Sequence, residues 1–178
     1  LDRSGQLFAY SPVAGQVLRV EAAVADVVPG TESVTIPDGG DLTMTSVAGR
    51  WAVLDSDSDT VYLEGRTVDL APFIGGGSGS VLQWASSEGD RVLVAYSAGL
   101  LSIPLSGAAA VALVDGESGT AARPLVLAGC EFAAWTNGDN WRRCPADGGA
   151  GTTLALADMS STARLTFLTN GDRAVLND

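Results

Sequence analysis

The segment 89–96, Gly-Asp-Arg-Val-Leu-Val-Ala-Tyr, contains the pattern that decides the fold. A turn glycine is followed by an unbroken run of β-forming apolar residues, which is typical of a strand covered on both faces. The pattern returns every 40 to 44 residues along the chain, at Gly5, Gly49, Gly89, Gly129 and Gly171. Repetition at this period, with only strand signals between the glycines, predicts stacked four-stranded sheets like the blades of a β-propeller.

The repeats also share a turn and a second strand. Ten residues after each of the first four glycines stands a residue suited to a hairpin turn, namely Gly15, Asp59, Gly99 and Asp139. Two residues further on the side chain is always apolar, at Val17, Val61, Leu101 and Trp141. The leftover segments 33–36, 67–70, 109–113 and 152–156 are expected to supply the fourth strand of each sheet.

We therefore predict one all-β domain over residues 1–178, a β-propeller or part of one, with about four repeats of antiparallel blades. Little or no helix is expected, because no stretch shows an apolar period of 3.6 residues. Both ends of the sequence fall inside a repeat, so we expect a piece of a longer protein. The total number of blades stays open.

The composition excludes several classes of function. The chain has 21 acidic residues and 10 basic ones, for a net charge of −11, and every base is arginine. This charge argues against nucleic-acid and anionic-membrane partners, and no apolar run approaches the roughly 18 residues of a membrane span. Without histidine or lysine the chain can form no Ser-His-Asp triad, Schiff base or P-loop. We predict no catalytic residues, metal or cofactor.

The two cysteines fall on opposite strands of a predicted hairpin. Thr136-Asn137-Gly138 fits a three-residue loop, and centring the hairpin there places Glu131 opposite Arg143 and Cys130 opposite Cys144. Opposed α-carbons in antiparallel strands are close enough for a disulfide. We predict a Cys130–Cys144 bridge and thus an oxidising, extracytoplasmic setting. Two buried free thiols, or a redox or metal pair, are the alternatives.

The phrase Gly-Cys-Glu-Phe-Ala-Ala-Trp at residues 129–135, closed by Cys144, resembles a blade motif of large actinobacterial secreted or membrane-anchored proteins. Those proteins carry a propeller-like region followed by fibronectin type III or related immunoglobulin-like domains. The ending at residues 174–178 also resembles their blade strands. The resemblance implies a structural or interaction role at the cell surface, and it carries over no catalytic residues.

One short motif has the spacing of a metal site. Asp55, Asp57 and Asp59 alternate with serines, as aspartates do in calcium loops. An EF-hand would need glycine at the sixth position and glutamate at the twelfth, where this chain has Thr60 and Arg66. The repeat register instead makes the segment a hairpin turn, so these aspartates are only weak calcium candidates.

Exposed tryptophans and paired acids are the residues that a carbohydrate site needs. Trp51, Trp84, Trp135 and Trp141 all lie in predicted strands, so most are expected between sheets. Trp135, nearest its loop, is the one expected to be exposed and able to stack on a ligand. Glycosidases need two facing carboxylates, and the acids near strand ends are Glu64, Glu88, Asp90 and Glu131.

Three functions follow from these features. The first is a non-enzymatic, extracellular or cell-surface scaffold or protein-interaction module. The second is a carbohydrate-binding or glycoside-hydrolysing propeller that uses exposed tryptophan and paired acids, with cell-wall carbohydrate as its partner. The third is a calcium-stabilised adhesion propeller. Two acids facing each other across a funnel lined by tryptophan would favour the second function over the first.

Overall fold

The computed structural model describes residues 6–21, 26–29, 34–75, 79–116, 119–155, 164–169 and 173–177. The repeat glycines Gly5 and Gly171 lie outside the described residues. Within them the chain forms antiparallel sheets, and helix is limited to α1 (Ala71–Ile74) and one 3-10 turn (Pro145–Asp147). None of the described helices is long and apolar enough to cross a membrane.

In the part of the chain that the structure describes, five sheets follow one another, each built from consecutive strands. Sheet 1 contains β1 (Leu7–Ser11), β2 (Gln16–Glu21) and β3 (Asp26–Pro29). Sheet 2 contains β4 (Leu42–Val47), β5 (Arg50–Asp55), β6 (Thr60–Leu63) and β7 (Arg66–Asp69). Sheet 3 contains β8 (Val81–Leu82), β9 (Arg91–Tyr96), β10 (Gly99–Pro104) and β11 (Val111–Asp115). Sheet 4 contains β12 (Leu125–Leu127), β13 (Cys130–Ala134), β14 (Asp139–Arg143) and β15 (Gly151–Ala155), and sheet 5 contains β16 (Thr166–Thr169) and β17 (Ala174–Asn177).

The predicted repeat is confirmed at the level of the sheet. Gly49, Gly89 and Gly129 precede β5, β9 and β13, which are the second strands of the three four-stranded sheets. The four apolar positions of the following strands are all buried, at Val17, Val61, Leu101 and Trp141. The 40-residue period therefore marks equivalent strands.

One strand was wrongly predicted from the sequence. The described part of segment 33–36 is not a strand, and the third strand of sheet 1 is β3. The backbone N–H of Ile36 donates to the carbonyl oxygen of Gly15 at 2.8 Å, and the Ile36 side chain is buried against Val17 and Trp51. The apolar residues of segment 34–36 thus fill the space between sheets 1 and 2 and do not form a strand.

Sheets pack face to face, and the unbroken apolar runs follow from this arrangement. Side chains of a strand alternate between its two faces. In β9, Val92, Val94 and Tyr96 pack against sheet 2, whereas Leu93 and Ala95 pack against sheet 4. Both sets are buried, so the strand needs apolar residues at consecutive positions.

Neighbouring sheets 2 and 3 are also joined along their first strands. The backbone N–H of Ala48 donates to Ser86, and the N–H of Ser86 donates to Ser46, both at 2.9 Å. Val47 and Ser86 form a parallel bridge. The end of β4 and the segment that follows β8 therefore lie side by side and run in the same direction.

The predicted cysteine hairpin is confirmed. Glu131 pairs with Arg143, and the N–H of Trp135 donates to the carbonyl of Asp139 at 3.0 Å. Cys130 and Cys144 form a disulfide with their α-carbons 4.2 Å apart. The structure thus joins the two cysteines as predicted, rather than leaving two free thiols.

Candidate functional site

A cleft of about 580 Å³ opens between sheets 3 and 4. It lies at the end of the sheets where the β8/β9 turn, the β12/β13 turn and the connection from β14 to β15 come together. Its rim is formed by Gly89 and Asp90 on one side and by Pro145 and Gly149 on the other, and Glu131 lies in its lining. Three separate turns build this cleft, so local sequence alone could not place it.

The floor of the cleft is an ion-pair network centred on Glu131. Arg143, its cross-strand partner, lies with Nη2 2.5 Å and Nε 2.7 Å from the same carboxylate oxygen, Oε2. The other oxygen, Oε1, is 3.6 Å from Nε of Arg91 on the neighbouring sheet. Glu131 is buried, so this pairing compensates for the loss of solvent around its charge.

Asp90 stands at the rim of the cleft and is largely solvated, with 81% of its side chain exposed. Its Oδ1 accepts a 2.8 Å hydrogen bond from Nε of Arg91. This bond from Arg91 is the main reason that the pKa of Asp90 lies below its usual value. Asp90 therefore remains a carboxylate at neutral pH.

The two acids that line this cleft share one arginine partner. Arg91 lies between the carboxylates of Asp90 and Glu131 and contacts both. The acid of a glycosidase pair needs a raised pKa, and that of Asp90 is lowered. No tryptophan belongs to the described lining of the cleft.

The other two candidate acids serve structural roles elsewhere. Glu64 pairs with Arg50 within sheet 2 at 3.4 Å. A carboxylate oxygen of Glu88 accepts a 2.8 Å hydrogen bond from the backbone N–H of Gly129, which ties sheet 3 to sheet 4.

Most tryptophans lie between sheets, as predicted, but the exposed one was wrongly identified. Trp51, Trp135 and Trp141 are buried. The indole N–H of Trp135 donates to the carbonyl oxygen of Tyr96 at 2.8 Å, so Trp135 is not free to stack on a ligand. Trp84 is 38% exposed instead, with the guanidinium of Arg123 4.3 Å from its ring centre.

The aspartates of the calcium candidate build a turn between β5 and β6. Oδ1 of buried Asp55 accepts hydrogen bonds from the backbone N–H groups of Asp57 at 3.0 Å and Ser58 at 3.3 Å. Asp59 adopts a left-handed backbone conformation, with φ of 52°. Among the described residues no group of three or more acidic or cysteine side chains is arranged to hold a metal ion.

Arginines that join neighbouring sheets were not identified from the sequence. Arg50 donates to the carbonyl of Leu105 at 2.7 Å, and Arg66 donates to those of Ala108, at 3.0 Å, and Pro104. Arg123 donates to the carbonyl oxygens of Leu82 and Gln83. The only sequence signal is that every base is arginine, whose forked guanidinium can bond two carbonyls at once.

No protein-family model matches the chain, and no curated protein matches it. Among solved structures it is similar to apo AztD from Citrobacter koseri, with a TM-score of 0.52 and 14% sequence identity. The alignment covers 93% of this chain and 48% of that one, so the chain spans about half the length of AztD. At this identity the similarity concerns the fold alone.

Proposed function

We propose that the five sheets are consecutive blades of a β-propeller. Face-to-face packing of equivalent sheets supports this architecture, as does the parallel bridge between Val47 of β4 and Ser86, which follows β8 in sheet 3. The buried apolar residues lie between one sheet and the next, which is the arrangement that a ring of blades requires. A crystal structure in which the first strands surround a common axis would test it.

We propose further that this propeller acts outside the cytoplasm as a non-enzymatic protein-interaction module, as in the surface proteins that its cysteine hairpin resembles. The Cys130–Cys144 disulfide supports an oxidising compartment. The single observation that carries the non-enzymatic function is the guanidinium of Arg91 between the carboxylates of Asp90 and Glu131. A cleft built from turns, with its buried acid neutralised, is suited to recognition.

Carbohydrate binding is the second candidate, and Trp84 is the observation that favours it. Trp84 is 38% exposed, and the guanidinium of Arg123 packs over its ring. An exposed indole face can pack on the C–H groups of a sugar. This function needs no catalytic acid.

Parallel binding to a peptide array and a glycan array would separate the two functions, with hydrolysis of chromogenic glycosides as a third measurement. The proposed module predicts peptide binding and no hydrolysis. Glycan binding that is lost in Trp84→Ala would favour the second candidate. Hydrolysis that is lost in Glu131→Gln would overturn the non-enzymatic function.

A further inference from the structure

The side chain of Arg123 lies at the junction of sheets 3 and 4, shortly before β12. Its Nε donates to the carbonyl oxygen of Leu82 at 3.0 Å, and its Nη2 donates to that of Gln83 at 3.2 Å. The backbone N–H of Trp84 donates in turn to the carbonyl oxygen of Pro124 at 2.8 Å. The guanidinium is therefore fixed against the end of the first strand of sheet 3.

The indole ring of Trp84 supports this guanidinium from one side. The guanidinium carbon of Arg123 lies 4.3 Å from the centre of the ring, which is a cation–π contact. Trp84 is 38% exposed, and its neighbour Ala85 is exposed as well. An apolar surface thus reaches solvent beside a positive charge whose orientation is fixed.

Arg123 has no carboxylate partner among the described residues, unlike Arg50, Arg91 and Arg143. Burial lowers the pKa of Arg123 below its ordinary value, but an arginine keeps its charge at neutral pH. This half-buried cation is therefore compensated by backbone oxygens and an indole ring, and an acid from outside the chain would add the missing counter-charge.

One edge of the Arg123 guanidinium remains available for such an acid. Nε and Nη2 use one side of the planar group, and Nη1 has no hydrogen-bond partner in the described part of the chain. The protein does not enclose Nη1, so solvent reaches it. A carboxylate can accept parallel hydrogen bonds from Nη1 and Nη2, in the bidentate geometry that a guanidinium favours.

We propose that Arg123 and Trp84 bind the C-terminal carboxylate of a partner protein whose last residue is apolar. The net charge of −11 repels strongly acidic partners, so the ligand should carry one carboxylate beside an apolar group, and an apolar C-terminal residue has both. Tryptophan and arginine are also enriched among the residues that dominate binding at protein interfaces. This proposal rests on the protein-interaction function and names the chemistry of the partner.

The test compares N-acetylphenylalanine, which has a free carboxylate, with N-acetylphenylalanine amide, which is neutral and of nearly the same shape. Binding to the whole chain is followed by nuclear magnetic resonance, through the indole N–H signal of Trp84 and the backbone N–H signal of Ala85. The free acid should shift both signals. The amide should bind about tenfold more weakly, because it cannot accept charge-assisted hydrogen bonds from the guanidinium.

Variants make the test specific to the two side chains. Arg123→Gln should weaken the free acid about tenfold and remove the difference between acid and amide. Arg123→Lys keeps the charge but loses the planar fork, so the acid should bind more weakly to it than to the parent protein. Trp84→Ala should weaken acid and amide alike, because both contact the ring. Arg164→Gln makes the same charge change at an exposed position before β16 and should leave binding unchanged.

Equal binding of the acid and the amide to the parent protein would overturn the proposal, and this comparison needs no variant. Acid binding that remains unchanged in Arg123→Gln, with circular dichroism showing a folded protein, would overturn it as well. Equal binding of array peptides with free and amidated C-termini would refute this site and leave the interaction module standing. Binding of methyl glucuronide, a carboxylate on a sugar ring, without binding of N-acetylphenylalanine would refute the protein partner and favour the carbohydrate candidate.

Discussion

The indole nitrogen of Trp135 lies 2.8 Å from the carbonyl oxygen of Tyr96, and this hydrogen bond joins sheet 4 to sheet 3. Both side chains are buried. Tyr96 ends β9, so the bond fixes the end of one sheet against the next. Trp135 is therefore both an apolar filler and a polar link between sheets.

Truncating Trp135 should destabilise the protein strongly. Trp135→Ala removes a buried ring and should lower the free energy of unfolding by about 3–5 kcal/mol. Trp135→Phe keeps most of the ring but removes the N–H that donates to the Tyr96 carbonyl, for a loss of about 0.5–1.5 kcal/mol. Urea unfolding measures both changes. Trp84→Phe is the matched control, and its side chain is partly exposed, so a loss as large as that of Trp135→Phe would contradict this account.

Reducing the disulfide should also lower stability. Cys130 and Cys144 are 14 residues apart, and closing a loop of about that size stabilises by about 3 kcal/mol in the chain-entropy description. Thermal melts with and without a reductant should differ accordingly. The double variant Cys130→Ala/Cys144→Ala should have the melting temperature of the reduced protein, and adding the reductant should not change it. Identical melts of oxidised and reduced protein would show that the bridge adds nothing.

Removing the charge of Glu131 should cost far more than removing that of Glu64. Glu131→Gln leaves Arg91 and Arg143 without their shared carboxylate in a partly buried site, and we expect a loss of about 3 kcal/mol. Glu64→Gln breaks a more exposed pair with Arg50 and should cost less than about 1 kcal/mol. Denaturant titration of both variants compares them directly. Equal losses in the two variants would mean that the ion pairs of Glu131 stabilise the protein no more than an exposed ion pair does.

Asp59 should make stability depend on pH with an unusual sign. Burial, followed by repulsion from Asp69 and Asp55, raises the pKa of Asp59 above its ordinary value of 3.8. The folded state then binds the proton more tightly than the unfolded state, so this group's contribution favours folding less as pH rises from 3.8 through the raised pKa. Above the raised pKa, Asp59 is ionised in both states, and its buried charge lowers the free energy of unfolding by the full amount.

Asp59→Asn should remove this penalty. The variant should be more stable than the parent at pH 7, by less than about 1 kcal/mol because the site is partly solvated. The gain should shrink as the pH falls toward 3.8, and asparagine tolerates the left-handed backbone at this position. Melting curves from about pH 3 to about pH 7 measure the effect, because this range spans the ordinary aspartate pKa of 3.8. Asp57→Asn is the neighbouring control, and a gain independent of pH would point to backbone preference alone.

Local patterns were sufficient for the sheets and the hairpin. The turn at Asn137 fixes the register of β13 and β14, and the register brings Glu131 to Arg143 and Cys130 to Cys144. Each of these contacts spans few residues, so strand alternation and turn length decide it. The strand predicted at 33–36 was wrong, because a short apolar segment packed between two sheets has the same local pattern as a short strand.

The sequence by itself determined the all-β repeat, the disulfide and the absence of histidine and lysine chemistry, because residue identity and spacing along one strand or hairpin settle them. Only the tertiary structure decided that Trp135 is buried and that Arg50 and Arg66 bond the β10–β11 turn of the next sheet. Those outcomes depend on which surfaces of successive sheets meet. The hydrogen bonds between neighbouring sheets join residues about 40 positions apart, so no local sequence pattern can predict them.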